Sequence, residues 1–300
     1  LQSSTGKAAN HLIGIDLPKE NLGKYRRSGF ELDVTYNNKF GDVTFTANAN
    51  ALFYKSKLLA NGENAYPESY MQRVGEKQGQ IFGYVADGLF QSQKEIDSYL
   101  STTKIEGYVP QPGDIKYCDL NGDHILDGKD VKAIGNNAPL IEYGFYLGAE
   151  WKGVALSMQW AGLGKAQTTN KVMPFTFNAQ NSYGQALVEH LDRWTPENPD
   201  ARYPRLSAGS NSYNERTSTF WLQNSSYLRL KNIELSYTLP KNWTSRVHLS
   251  GVKFFVNGYN LITITGIKDR DPELLGFTNG TSSGYVPNSK AYNFGVNIQF

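Results

Sequence analysis

Large apolar side chains at Tyr292, Phe294, Val296, Ile298 and Phe300 alternate with Asn293, Gly295, Asn297 and Gln299. Successive side chains of a strand point to opposite faces, so this spacing predicts a strand with one apolar and one polar face. The same period recurs upstream. Phe30, Leu32, Val34 and Tyr36 alternate with Glu31, Asp33, Thr35 and Asn37, and Val43, Phe45, Ala47, Ala49 and Ala51 with Thr44, Thr46, Asn48 and Asn50. Tyr143, Phe145, Leu147 and Ala149 form one apolar set, and Val154, Leu156, Met158 and Trp160 another. Ile233, Leu235 and Tyr237 continue the pattern, but Leu228 and Leu230 fall out of phase with them, which predicts a bulge near Lys231 and Asn232. With residues 252–262 and 291–300, the pattern predicts about seven strands.

The connections alternate in length. Residues 38–42, 151–153 and about 240–250 are short links, whereas 55–142, 162–226 and 263–289 are long. Short turns on one rim and long loops on the other are the pattern of an outer-membrane barrel, with the short turns in the periplasm. Loops this long are unusual inside a compact soluble domain. The strand-like stretch Ile81–Phe90 is therefore assigned to the first long loop. Seven strands do not close an even-numbered barrel, and an open edge in lipid leaves backbone groups unpaired. The predicted fold class is all-β: residues 1–300 supply the carboxy-terminal strands of a large antiparallel transmembrane β-barrel with long extracellular loops.

Composition agrees with this. The chain has 29 Gly, 19 Tyr and 15 Phe, which suits strands and turns. No apolar run approaches the roughly 18–20 residues of a spanning helix. A mean hydropathy of -0.49 does not exclude a barrel, whose loops and inner face are polar. The net charge of +2 gives no reason to expect a nucleic-acid partner. Cys118 is the only cysteine, so no internal disulfide forms, and His11, His124, His190 and His248 have no metal-ligand spacing. The first residues, Leu1–Thr5, carry no secretory-leader pattern.

One stretch has ligand chemistry. From Asp119 to Asp130, oxygen side chains stand at loop positions 1, 3, 5, 9 and 12 as Asp119, Asn121, Asp123, Asp127 and Asp130, with the Ile125 carbonyl at position 7. That is the spacing of a calcium loop of the EF-hand kind, and hard oxygen donors select Ca²⁺. His124 replaces the usual turn glycine, and Asp130 is shorter than the usual closing Glu. The competing reading is a solvated acidic turn. Asp269, Asp271 and Glu273 cluster near the last long loop without a matched partner, so they predict packing rather than acid–base chemistry. Trp194, Tyr203, Tyr213, Phe220, Trp221 and Tyr227 predict loop packing or interface placement, with ligand contact as the alternative. Lys24, Arg26 and Arg27 form a basic run expected at the lumen or rim. No Ser/His/Asp triad, phosphate-binding Gly loop or CxxC pair appears, so no enzyme activity is expected.

Several ordered stretches resemble the SusC/RagA family of TonB-dependent outer-membrane transporters. They are Glu20–Gly23 leading into Ser28–Leu32, Gly83–Gln91, Pro112–Tyr117, Asp119–Asp123, Ser226–Asn232, Tyr237–Pro240, and Asn260-Leu261 followed by Asp271–Glu273. The resemblance runs from about residue 20 to Phe300. It implies a plugged barrel of about 22 strands in the outer membrane of a Gram-negative bacterium. The implied function is import of nutrients, most often oligosaccharides or peptides. The implied partners are a SusD-like surface lipoprotein, the TonB complex through the amino-terminal part, the remaining barrel and plug segments, and outer-membrane lipid. The family's plug, TonB box and earlier strands have no counterpart in these residues. Composition and periodicity alone leave another reading open: a secreted or surface calcium-stabilised β-sandwich that binds glycans.

Overall fold

The computed structural model describes residues 3–4, 19–169, 178–179, 188–208, 211–268, 271–273 and 288–300. Its main feature is one seven-stranded sheet. The strands are β1 (Lys24–Phe40), β2 (Val43–Ala60), β3 (Ile141–Trp151), β4 (Val154–Gly164), β5 (Tyr227–Thr238), β6 (Gly251–Thr265) and β7 (Ala291–Gln299). Each pairs antiparallel with its neighbours in sequence, so the sheet is a simple up-and-down meander.

The two rims differ as alternating connection lengths require. One rim carries Gly41-Asp42, Lys152-Gly153 and residues 239–250. Lys152 and Gly153 both take positive φ, at 48° and 87°, which matches the twist of a two-residue hairpin. The third short link holds a helical turn at Lys241–Thr244, and His248 leaves it in left-handed backbone at φ 58°. The other rim carries the three long connections, described over residues 61–140, 165–169, 178–179, 188–208, 211–226, 266–268, 271–273 and 288–290. Strands β1 and β2 run well past the length needed to cross lipid, because the far end of β2 packs under the first loop. There the backbone N–H groups of Leu58 and Gly75 donate to Glu76 and Leu58 carbonyls at 2.8 Å, and Gln78 N–H donates to Ser56 Oγ at 2.9 Å.

Register aligns the apolar phase of every strand. Phe30 faces Phe53, Phe145 faces Trp160, Leu156 faces Leu235, and Val256 faces Phe294. The bulge lies at Lys231: Gln159 pairs with Asn232 and Trp160 with Leu230, so Lys231 is skipped. This returns Leu228 and Leu230 to the face of Ile233. Two glycines complete the packing. A Cβ at Gly295 would overlap the Phe255 ring, and one at Gly162 would overlap the Tyr143 ring. In both places an aromatic ring lies over a bare stretch of neighbouring strand.

The apolar face is open. Phe30 is 63% exposed, Phe294 79% and Val296 52%. Among the described residues no second sheet covers it, since every other sheet has two strands. A water-soluble sandwich buries such a face, and an apolar patch this large is not left in water. The solvent that fits it is lipid.

Most of the well-buried apolar side chains lie elsewhere. Leu89, Ile105, Ile115, Tyr117, Leu126, Trp194, Tyr203, Tyr213 and Trp221 form one cluster, built wholly from the first two long loops. The described parts of these two loops therefore form a packed cap rather than loose connections. Helix α1 (Gln93–Leu100) starts where Ser92 Oγ accepts the Glu95 N–H at 3.2 Å, and its Ile96 is fully buried.

Candidate functional site

The inner face of the sheet is polar by the same two-residue period. Glu31, Asn48, Asn50, Glu142, Tyr146 and Gln159 line an open groove along it. Asn48 Nδ2 donates to Asp33 Oδ1 and Thr35 Oγ1, both at 2.8 Å, and Asn293 Nδ2 donates to Asn257 Oδ1 at 2.9 Å. Lys253 pairs with Glu234 at 2.9 Å. These bonds run between neighbouring strands and hold the inner side chains in place. They form a wet wall rich in amides and hydroxyls.

Where this wall meets the long-loop rim, an ion-pair clamp holds the last loop. Arg229 is 3% exposed. Its Nη2 donates to Asp271 Oδ1 at 2.6 Å, its Nη1 to Glu273 Oε2 at 2.9 Å and its Nε to Thr263 Oγ1 at 2.9 Å. Lys231, brought alongside by the bulge, pairs with the other oxygen of Glu273. Burial alone would raise the Asp271 carboxyl, but Arg229 and the backbone N–H groups of Glu273 and Asn288 hold it below the usual carboxylate range. Asp271 and Glu273, expected from sequence to lack a matched partner, are both paired. Their partners lie 42 to 44 residues away in sequence, on a strand. Asp269 lies outside the described residues.

The cap interlocks two loops that are distant in sequence. Tyr84 N–H donates to the Thr217 carbonyl at 2.9 Å, and Thr219 N–H to the Tyr84 carbonyl at 3.0 Å. At its centre is Asp114, fully buried. Asp114 Oδ1 accepts from Arg205 Nε at 2.7 Å and Asn214 Nδ2 at 2.9 Å, and Oδ2 from Tyr108 Oη at 2.7 Å and the Gln111 N–H at 2.8 Å. Trp194, Tyr203, Tyr213 and Trp221, candidates for ligand contact, are buried in this cap and hold it together. Arg216 lies over the Tyr213 and Tyr84 rings at 4.8 and 4.9 Å. Sequence spacing gave no sign that the two loops pair.

The acidic loop lies at the cap's edge. Asp119 Oδ1 and Oδ2 accept the N–H groups of Gly122 and His124, both at 2.8 Å. Asn121 Oδ1 accepts Asp123 N–H at 3.0 Å, and Asp123 Oδ1 accepts Ile125 N–H at 2.9 Å. Asp130 is fully buried and accepts the N–H groups of Leu120 at 2.7 Å and Asp127 at 2.9 Å. Lys129 Nζ sits 2.9 Å from Asp123 and 3.8 Å from Asp127, and this contact lowers the Asp123 carboxyl below its ordinary range. Ile125 opens a two-residue strand, Ile125–Leu126, beside Lys104–Ile105. The backbone does make the left-handed turn at His124, φ 64°. The side chains satisfy N–H groups and one ammonium, and among the described residues no three His, Cys, Asp or Glu side chains converge as a metal cage.

The basic run divides. Arg27 turns inward and its Nε donates to Gln78 Oε1 at 3.0 Å. Arg26 shares the outward phase of Phe30, so it faces lipid side rather than lumen.

Comparison with known proteins agrees with this geometry. No family model matches the chain. It is 25% identical over 310 residues to TonB-dependent receptor P3 of Formosa agariphila, covering 96% of this chain and 30% of that protein. With TonB-dependent receptor P26 of the same organism it shares 25% identity over 325 residues, covering 98% and 32%. Among solved structures it resembles the RagAB peptide transporter, with a TM-score of 0.72, 23% identity and coverage of 97% of this chain and 31% of that one. The RagAB peptide importer in its open-open state gives 0.72, 22%, 98% and 31%. The chain thus spans about a third of the length of the relatives it matches. The matched proteins are receptors and transporters, not enzymes. In sequence and fold the chain resembles a SusC/RagA-type fragment, and its sheet is a segment of an outer-membrane β-barrel.

Proposed function

We propose that this chain forms the carboxy-terminal wall and part of the extracellular cap of a TonB-dependent nutrient importer. The observation that carries the reading is the sheet itself: one open apolar face, one polar inner face, and a packed cap on the long-loop rim alone. The inner wall's amides, hydroxyls and paired charges suit a hydrated, hydrogen-bonding cargo, an oligosaccharide or a peptide. The cap offers an ordered platform to a SusD-like lipoprotein, and exposed Val109, Val188 and Leu191 on its loops supply apolar contacts for one. Energy would come from the TonB complex through the amino-terminal plug portion of the full protein.

The test uses the full-length transporter in cells. Uptake of a fluorescent oligopeptide and of a fluorescent oligosaccharide is measured with and without TonB, and affinity capture of the barrel is searched for a surface lipoprotein. TonB-dependent uptake of one cargo together with a co-captured lipoprotein is expected. TonB-independent uptake, or none of either cargo, would overturn the reading.

Calcium at Asp119, Asn121, Asp123, the Ile125 carbonyl, Asp127 and Asp130 is part of the same proposal. The left-handed turn at the sixth loop position and the hard-oxygen donor set fit the ion. Entry requires Lys129 to withdraw from Asp123 and Asp127. Protease nicking between Gly107 and Asn136 should then increase with a chelator, and should do so without chelator in Asp119→Ala/Asp123→Ala. Equal resistance in all three conditions would leave the loop a self-bonded acidic turn.

A further inference from the structure

Strands β1 and β2 continue past the lipid-facing band as a two-stranded ribbon, and its outward face is basic. Lys55 pairs with Ser28 and Lys57 with Arg26, in the outward phase of the Phe30–Phe53 pair. The inward residues of the same stretch, Ser56 and Leu58, are 7% and 6% exposed under the first loop, whereas Arg26, Lys55 and Lys57 are exposed. Lys165, just past the end of β4, lines one cleft with Ser28, Phe30, Phe53, Lys55 and Ile141. It too is exposed. Among the described residues none of these four cations makes a salt bridge.

The height of the patch identifies what it meets. From the Phe40–Val43 end to the Phe30–Phe53 pair, β1 climbs ten residues. With about 3.3 Å per residue and a tilt of about 40°, that is roughly 25 Å, the height of a barrel's apolar band. On the same scale Lys55 stands about 5 Å above the band and the Arg26–Lys57 pair about 10 Å. This is headgroup depth on the long-loop, extracellular side. The stacked Phe30 and Phe53 rings, 4.9 Å apart, end the band directly beneath. Cargo passes on the other face of the sheet, so these charges are turned away from it.

We propose that Arg26, Lys55, Lys57 and Lys165 form a docking surface for the phosphate groups of a glycolipid in the outer leaflet, with its acyl chains running down over Phe30 and Phe53. Phosphate supplies the counter-charge that the described residues do not, and the Arg26 guanidinium can hold two of its oxygens at once. Lysine stems reach along the apolar boundary while their ammonium groups stay at the headgroups. The inference rests on the barrel reading, and its test separates the two.

The experiment uses the full-length barrel in detergent and counts retained lipid by native mass spectrometry. The probes are phosphorylated lipid A and the same lipid dephosphorylated. The variant is Arg26→Gln/Lys55→Gln/Lys57→Gln, with Lys152→Gln on the opposite rim as control. Heat-modifiable gel mobility shows that each barrel is folded, and its loss in the parent would count against the barrel reading instead. The parent and Lys152→Gln should retain phosphorylated lipid A, and each neutralised charge should weaken retention about fivefold. Should the triple variant not fold, Lys165→Gln and Lys55→Gln singly should each show that fivefold loss. Equal retention by parent and variants would overturn the proposal, as would equal retention of the dephosphorylated lipid. Displacement by inorganic phosphate at the same phosphate concentration would make the patch a free-phosphate site and end the lipid assignment.

Discussion

Replacing Asp114 with Ala should open the cap while leaving the barrel wall closed. The carboxylate accepts four hydrogen bonds, from Arg205, Asn214, Tyr108 and the Gln111 N–H. Arg205 and Asn214 come from the second long loop and Asp114 from the first, so the group ties the two loops together. Removing one member of a buried ion pair costs about 3–5 kcal/mol, because the other charge stays behind without compensation. Arg205 keeps 20% of its side-chain surface and can reach water, so the low end, about 3 kcal/mol, applies. If the cap opens as a unit, about 3 kcal/mol raises its opening equilibrium roughly 150-fold. Asp114→Asn should be nearly as damaging, since its amide NH₂ would face donors where an oxygen now accepts. Hydrogen exchange on the full barrel, resolved by peptide, is the assay. Amides of residues 115–117 and of Tyr203 and Arg205 should lose protection by about two orders of magnitude, and those of β4 and β5 should not change. A change below about fivefold in the cap would refute the argument. Equal loosening of cap and strands would also refute it, because the cap would then not be a separate unit.

Other outcomes follow from the same structure. Spin labels at Phe294 and Ile298 should be accessible to oxygen from lipid, and labels at Asn293 and Asn297 to a polar relaxant; the reverse would turn the sheet inside out. Tyr99 and Tyr108 are pushed up to about 12, by burial first and then by Asp119 for Tyr99 and by the hydrogen bond to Asp114 for Tyr108. A raised folded pKa means their contribution is complete below pH 10 and is lost as pH rises from about 10 to about 12, so tyrosinate absorbance and cap proteolysis should rise together in that window. Arg229→Met should free the last loop to protease while β5 stays protected. Because Asp271 lies below the usual carboxylate range, the parent should lose the same contact only as pH falls through that lowered value.

Strand phase, the bulge at Lys231 and the parity of short and long links could be read from the chain because each is a local rule of backbone geometry. The cap could not. Trp194 and Trp221 stand far from Leu89 and Tyr117 in sequence, and an aromatic in a loop says it will be buried without saying against what. Arg229 was visible as an inward-phase charge on an otherwise well-formed strand. Such a charge asks for a partner, and Asp271 and Glu273 were the nearest unpaired carboxylates on the same rim. The basic run, expected at the lumen or rim, divides between the two faces by strand phase. Counting back from Phe30 in steps of two reaches Arg26, and forward from Phe53 reaches Lys55 and Lys57, so the lipid side could have been assigned by phase. The acidic loop shows the opposite limit. Its spacing defines which oxygens are available, but the same oxygens can close Asx-type turns on N–H groups, and spacing does not decide between the two.

Among the described residues, strand β1 pairs only with β2, and β7 only with β6. Along a strand with one neighbour, about every second residue leaves its N–H and C=O without a partner. Water satisfies such an edge in a soluble sheet. In hydrocarbon each unsatisfied group costs several kcal/mol. The outward side chains of β1 and β7 are Phe30, Leu32, Val34 and Tyr36, and Tyr292, Phe294, Val296 and Ile298, so both edges lie within the apolar band. A membrane sheet with these faces is stable only when each edge meets another strand. The face pattern that identifies the solvent as lipid therefore also requires further strands to complete the wall.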